Sequence, residues 1–272
     1  MKNVTTSLVL CTYNWENALR LVLISASKQT IIPTEIVIAD DGSRETTRDV
    51  IEEMRHVLPC PIKHVWHEDK GYRRAMIMNR AFAVCTSDYI IQIDGDIIME
   101  RHFIEDHLRH ACHGFYLSGS RGKLTRTFTD TLCQGDFRRI YWWTKGVTRR
   151  LNTLRLPWLT PLLYKYKQNG MDRGCNLSFW RADLYAVNGY DNGMVGYGSE
   201  DIDLTARICR LGVRKRFVKF SCVEYHLYHR EVPSKSDSEM RRHNQSLRSS
   251  NNSQGIIRVK SGLSDFLPPK QP

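Results

Sequence analysis

Tyr89-Ile90-Ile91-Gln92-Ile93-Asp94-Gly95-Asp96 is an apolar run that stops abruptly at two carboxylates separated by the smallest residue. A short β-rich run with such a stop reads as a buried strand that delivers acids to its carboxyl end. The pleat would send Asp94 and Asp96 to the same side, and Gly95 would let backbone or ligand come close. Two anions so near each other repel, so a hard divalent cation, Mg2+ or Mn2+, is their natural partner, with positions left open for phosphate oxygens. Asp-x-Asp also decorates ordinary surface turns, so the surrounding chain has to decide between the two.

Upstream, strand patterns ending in polar clusters recur. Thr6 to Thr12 is apolar and β-rich and runs into Tyr13-Asn14; a helical pattern follows from about Glu16 to Lys28. Ile36 to Ala39 ends in Asp40-Asp41-Gly42-Ser43, and another helical pattern continues through about Val57. Ile62 to Trp66 reads as strand, Arg74 to Val84 as helix and Tyr89 to Ile93 as strand. Short buried strands alternating with helices predict an α/β domain with a Rossmann-like, mostly parallel, doubly wound sheet flanked by helices, whose ligands sit at strand carboxyl ends. Beyond Asp96 the pattern loosens: a helix from about Glu100 to Cys112, a Ser/Gly-rich turn, a strand from Asn176 to Phe179, a helix from Glu200 to Leu211 stopped at Gly212, and a strand from Val213 to Phe220.

The 272 residues carry a net charge of +11, which calls for an anionic partner such as a phosphorylated ligand, an anionic membrane or nucleic acid. No acid occurs from Phe137 to Gln168, where Arg138, Arg139, Lys145, Arg149, Arg150, Arg155, Lys165 and Lys167 alternate with Tyr141, Trp142, Trp143, Trp158, Tyr164 and Tyr166. This basic aromatic insertion, 137–168, reads as helical: either an amphipathic segment in contact with an anionic membrane or a solvated helix covering the core. No motif supports nucleic acid as a partner. The eight cysteines are scattered without a Cys-x-x-Cys pair and read as core residues in a reducing compartment. With no apolar run of about 18 residues and no hydrophobic leader pattern, the expectation is a cytoplasmic protein, at most peripheral at the inner face of the cell membrane. From Ser234 the chain turns polar, and 234–272 is expected to be a flexible or partly wrapped tail.

Leu8-Val9-Leu10-Cys11-Thr12-Tyr13-Asn14, Gln29-Thr30, Asp40-Asp41-Gly42-Ser43, Asp94-Gly95-Asp96 and Gly196-Tyr197-Gly198-Ser199-Glu200-Asp201 stand in this order along the chain. Their order and spacing resemble those of the inverting family 2 glycosyltransferases of the GT-A fold. The second half resembles the galactosyltransferase-type C-terminal segment of bacterial chondroitin-type polymerases and animal β-1,4-galactosyltransferases, and the resemblance covers roughly residues 4 to 232. It implies one GT-A domain over 1–233, with a nucleotide-sugar half in 1–99 and an acceptor and catalytic half in 170–232. It also implies metal-dependent, inverting transfer from a UDP-sugar to a glycan or lipid-linked acceptor, in bacterial surface polysaccharide or lipopolysaccharide synthesis.

Carried over residue by residue, Thr12, Tyr13 and Asn14 would hold uracil and ribose, and Asp40 or Asp41 would accept from the uracil N3–H. Tyr72 and Arg74, followed by Asn79, would clasp the nucleotide, with Arg73 the other arginine to consider. Asp96 would be the principal metal ligand, with Gly95 beside it and Asp94 touching the ribose or, through water, the metal. A downstream histidine would complete the set: His226 fits the spacing of the polymerases and His229 is a second candidate, although in a continuous strand the two would project to opposite faces. Asp201 would be the general base and Glu200 would orient the acceptor hydroxyls. Tyr197, which stands where the family often has Trp, would line the acceptor pocket with Gly198, Gly174, Cys175 and Asn176. A nucleotidyltransferase acting on sugar phosphates is the alternative; it would share the acid pair but leave Glu200, Asp201 and His226 without a task.

Overall fold

The structure is a computed structural model and describes residues 4–166, 172–230 and 238–268. The chain opens β1 (Thr6–Thr12), α1 (Glu16–Ser27), β2 (Glu35–Asp40), α2 (Glu45–Arg55), β3 (Ile62–Trp66), α3 (Arg74–Val84), β4 (Tyr89–Asp94) and β5 (Ile97–Met99). It continues with α4 (Phe103–His110), β6 (Phe115–Ser118), β7 (Ser120–Leu124), α5 (Arg126–Cys133) and β8 (Val147–Thr148). The last third holds β9 (Asn176–Trp180), α6 (Arg181–Ala186), α7 (Glu200–Arg210), β10 (Arg214–Phe217), β11 (Val223–His226) and α8 (Ser238–Ser253).

Among the described residues, seven strands form the main sheet in the order β10-β6-β9-β4-β1-β2-β3, and β5-β11-β7-β8 form a second, smaller sheet. Strand β1 pairs in parallel with both β2 and β4, while β9 enters antiparallel between β4 and β6. The first three strands step outward in one direction and β4 returns to the other side of β1, so the order reverses between β1 and β4. In open α/β sheets the ligand crevice lies at the carboxyl ends of strands at such a point. The register sets the chemistry there: Thr12 lies beside Asp40, and Cys11 beside Asp94.

The strand sequences explain the layering. Leu8, Leu10, Ile36, Ile38, Ile91 and Ile93 pack on one face with α1, α2 and α4. Val9, Val37, Ala39 and Ile90 pack on the other with α3, α6 and α7. A strand covered on both faces is apolar throughout, with alternation showing only in which core each side chain joins. Each large side chain so enclosed contributes about 1.5–3 kcal/mol. Behind the site, Arg207 and Asp203 form a fully buried ion pair at 2.7 Å, and the same guanidinium donates to the carbonyls of Val187 and Gly189 at 2.8 Å. Helix α7 and the turn before Tyr190 are thereby tied together.

Two expectations change, and the C-terminal segment takes the wrapped of its two expected forms. The basic aromatic segment is not a helical insertion: its described residues form the two-residue strand β8 and two single 3-10 turns, Arg150–Asn152 and Thr160–Leu163. Gly146, Pro157 and Pro161 explain this, since each interrupts a helical run. Lys167 and Gln168 lie outside the described residues. The C-terminal residues form α8, which lies on α7, followed by a 3-10 turn, Leu263–Phe266, whose Leu263 joins the core behind β1. The pleat of β4 does not run through the acid pair: β4 ends at Asp94, and Gly95-Asp96 form a turn into β5.

Candidate active site

The crevice at the ends of β1 and β4 gathers charged side chains from four elements. Arg74, buried at the start of α3, reaches Asp94 at 2.9 Å with one guanidinium nitrogen and Asp201 at 3.0 Å with the other. The Asp201 carboxylate also accepts the Gly174 backbone N–H at 2.8 Å, and the Tyr190 hydroxyl lies 2.8 Å from it. Gln92 donates to the Tyr190 hydroxyl and to the Gly174 carbonyl, each at 2.8 Å. One arginine thus joins the acid at the end of β4 to the acid at the start of α7.

Two glycines make the convergence sterically possible. A Cβ at Gly95 would sit 2.6 Å from the Cys11 carbonyl oxygen, which accepts the Gly95 N–H at 2.7 Å. A Cβ at Gly174 would overlap Asp201 Oδ1, Arg74 Nη2 and Gln92 Nε2 together. Any side chain at position 174 has to displace the bridge.

Asp96 faces a different pair of groups. Strand β11 ends at His226 and the chain turns, which brings the Nε2 atoms of both His226 and His229 to 3.4 Å from Asp96 Oδ2. Ligand atoms of the three residues all lie within 4.8 Å of one another. The opposite projection expected for a continuous strand does not arise, because the strand stops. Burial, assisted by the Arg121 guanidinium, pushes His226 down to about 4, so its ring is neutral near pH 7. A neutral imidazole offers a lone pair, and one carboxylate with two imidazoles is a donor set that fits a divalent ion such as Mn2+; Mg2+, which favours oxygen donors, suits it less well. Asp94 stands apart from this trio, on Arg74.

Glu200 and Asp201 open α7 behind a turn in which Gly196, Gly198 and Ser199 all have positive φ. Glu200 is 5 % exposed, and one of its carboxylate oxygens is buried without a hydrogen-bond partner. Burial and the neighbouring Asp201 charge push it up to about 7. Because the folded form takes up the proton at higher pH than the unfolded chain, stability conferred by the protonated group falls as pH rises from about 4.5 to about 7. In Glu200→Gln this titration is gone. Denaturant unfolding should show the variant gaining stability relative to wild type across that window, with a constant difference above it; a difference independent of pH contradicts this environment for Glu200.

The remaining residues singled out from sequence divide into two groups. Thr12, Asp40 and Asp41 line the ends of β1 and β2, where Asp41 accepts from the Arg73 backbone N–H at 3.0 Å and pairs with His67 at 2.7 Å. Asp40 is held by the Ser43 N–H and His64, each at 2.8 Å. Tyr13 is 52 % exposed with its hydroxyl on Asp69, and Asn14 caps the turn at Ser43-Arg44. Tyr72 and Tyr197 meet edge to face with ring centres 6.0 Å apart, beside Glu200. Cys175 is buried next to Arg121, at 3.4 Å.

Asn79 and Asn176 do not join the cluster. Asn79 is fully enclosed and clamps the Tyr190 backbone, and Asn176 bonds His107 and the carbonyl of Cys222. Both support the site from behind. Sequence reading missed Gln92, Tyr190, His67 and Asn244. The buried Asn244 amide donates to the Gly198 carbonyl at 3.0 Å and so pins the turn that leads to Glu200. Gln92, the lone polar residue inside the apolar run of β4, was the one signal available for any of them.

Residues 7–166 match the model of glycosyl transferase family 2, and residues 159–230 match the model described as the N-terminal domain of galactosyltransferase. Validoxylamine A glucosyltransferase of Streptomyces hygroscopicus subsp. limoneus is 28 % identical over 225 residues, which is 76 % of this chain and 48 % of that protein. Chondroitin synthase of Escherichia coli is 24 % identical over 255 residues, 85 % of this chain and 35 % of that protein. The chain therefore spans about half of the first relative and about a third of the second. The fold is shared with the mannosyltransferase PcManGT from Pyrobaculum calidifontis in complex with GDP-Man and Mn2+, at a TM-score of 0.59, 16 % identity, and 84 % and 58 % of the two chains. It is shared also with S. aureus TarS 1–349 in complex with UDP, at a TM-score of 0.61, 15 % identity, and 96 % and 68 % of the two chains.

Proposed function

The chain belongs to glycosyl transferase family 2 and has the GT-A fold, and from that premise we propose that it transfers a sugar from a UDP-sugar, with inversion, to a glycan or lipid-linked acceptor. The observation that carries the reading is the Asp94–Arg74–Asp201 bridge beside the Asp96–His226–His229 trio. Donor-side and acceptor-side acids meet in one crevice, as a single displacement at an anomeric carbon requires.

Asp201 accepts the proton of the acceptor hydroxyl as that oxygen bonds to C1 of the sugar and the bond from C1 to the diphosphate oxygen breaks. Arg74 is placed to exchange its carboxylate partners for the diphosphate, which frees Asp201 as the donor binds. Glu200 and Tyr197, fixed by the turn that Asn244 holds, orient the acceptor, while Asp41 and Thr12 receive the uracil. A divalent cation held by Asp96, His226 and His229 would supply positive charge that stabilises the departing diphosphate. The reading extends to a role in bacterial surface polysaccharide or lipopolysaccharide synthesis, for which the support is the similarity to chondroitin synthase of Escherichia coli.

The reading includes peripheral contact with an anionic membrane. No helix among the described residues is long and apolar enough to cross one. Within the acid-free segment Trp143, Leu151, Trp158 and Leu162 are 58 %, 74 %, 72 % and 78 % exposed, interspersed with Lys145, Arg149 and Arg150. Exposed Trp and Leu among basic residues suit an anionic lipid interface, where each cation adds about 1 kcal/mol. The protein should sediment with phosphatidylglycerol liposomes at low salt and be released as salt is raised. Trp158→Ser with Leu162→Ser should weaken this while release of UDP from free donor continues. Indifference of the wild type to anionic liposomes would make a soluble acceptor the better reading.

A further inference from the structure

A second cavity, of about 390 Å3, lies between the end of α1, strands β5 and β11 and residues 137–140. Along β11, Glu224 and His226 alternate with Val223 and Tyr225, and Tyr225 lines this cavity. Successive strand residues point to opposite faces, so the cavity is on the side of the small sheet away from the candidate metal ligands. Its volume falls in the range of small-molecule sites, about 300–1,000 Å3.

The lining combines two chemistries. Ile98, Phe137 and Ile140, which pack together with Tyr225, make an apolar interior. Lys28, Arg101, Arg138 and Arg139 stand around it, all exposed. Among the described residues, Lys28, Arg101 and Arg139 have no carboxylate within 4.0 Å, and Arg138 reaches Asp136 only at 3.9 Å. The one acid in the lining, Glu100, is engaged by the backbone N–H and ring of His102. Cations are therefore in excess around an apolar interior.

A separate observation points to a ligand. Tyr225 is 2 % exposed and lines the cavity, yet its hydroxyl makes no hydrogen bond among the described residues. The oxygen itself keeps contact with solvent, so the hydroxyl is open to the cavity and available to a ligand. A group entering the cavity with an acceptor oxygen would satisfy it.

We propose that this cavity binds an anionic amphiphile, a phosphate or carboxylate head on an apolar stem, with the stem against Ile98, Phe137 and Ile140 and the head between Arg101, Arg139 and the Tyr225 hydroxyl. The site is independent of the donor crevice and of the glycosyltransferase reading. The occupant is a membrane lipid or a free metabolite of the same chemistry, and the experiment separates these sources.

The test is calorimetric titration of the full chain with dodecyl phosphate below its micelle concentration. Binding is expected, unaffected by saturating UDP with Mn2+, and absent with inorganic phosphate or dodecyl maltoside. Arg101→Gln with Arg139→Gln should weaken it about tenfold or more, Tyr225→Phe should weaken it less, and Trp158→Ser with Leu162→Ser should leave it unchanged. Arg101 and Arg139 are exposed, so their removal leaves the core intact. If dodecyl phosphate also releases the protein from phosphatidylglycerol vesicles, the occupant is a membrane lipid; if it binds without releasing it, the occupant is a free amphiphile. Failure to bind, equal binding of the maltoside, displacement by UDP, or indifference to the arginine substitutions overturns the proposal.

Discussion

Asp201→Asn should lower sugar transfer by a factor on the order of 10² to 10⁴, the usual weight of a general base, while UDP binding in Mn2+ stays close to wild type. The amide keeps the size of the carboxylate and an oxygen for Arg74 and Tyr190. It loses the lone pair that takes the acceptor proton, and its NH2 is turned toward the Gly174 N–H. That donor-to-donor contact costs about 1–3 kcal/mol of stability, so unfolding should be measured beside activity. Transfer is best followed as UDP release that depends on added acceptor, because slow hydrolysis of the donor needs no acceptor base. Acceptor-dependent release at the wild-type rate would remove Asp201 from the role, and Glu200, held at about 7, would be the next group to test.

Asp96→Ala should abolish the part of UDP binding that depends on metal, because it removes the only carboxylate of the trio. His226→Ala and His229→Ala should each weaken Mn2+ affinity, since both imidazoles stand 3.4 Å from the same Asp96 oxygen. Losing a ligand from a three-residue set costs far more than any change in surface charge. Direct Mn2+ titration followed by electron paramagnetic resonance reads this without turnover. If only one histidine matters, the other serves to orient it; if Asp96→Ala still binds UDP better in Mn2+ than in EDTA, the ion is held elsewhere.

The N-terminal half was readable because buried parallel strands are continuous apolar runs with abrupt polar stops: β1, β3 and α3 fall on the residues expected of them. The small sheet was not, because Ser120–Leu124 carries Arg and Lys on a strand of five residues and leaves no apolar pattern. Helix α8 was hidden for a related reason. Its inward side uses Asn244 and Asn251, which hydrogen-bond to Gly198, Asp191 and Asp203 where an ordinary surface helix would bury leucines. The identity of the acids in the site could be inferred from sequence, but their mutual geometry could not. Tyr190 reaches Asp201 across a turn, Gln92 reaches Tyr190 across 98 residues, and His229 joins Asp96 because β11 ends at His226. These contacts are set by chain reversal, which a periodicity does not encode.

In the proposed function the crevice at β1 and β4 is a metal-dependent UDP site facing a catalytic acid. Calorimetric titration of the wild-type chain with UDP, GDP and CTP, each in Mn2+ and in EDTA, tests it most directly. UDP should bind tightest, Mn2+ should strengthen its binding at least about tenfold, a gain of about 1.4 kcal/mol, and Asp96→Ala should remove that gain. Equal binding of UDP in Mn2+ and EDTA, or a preference for CTP or GDP, would contradict it.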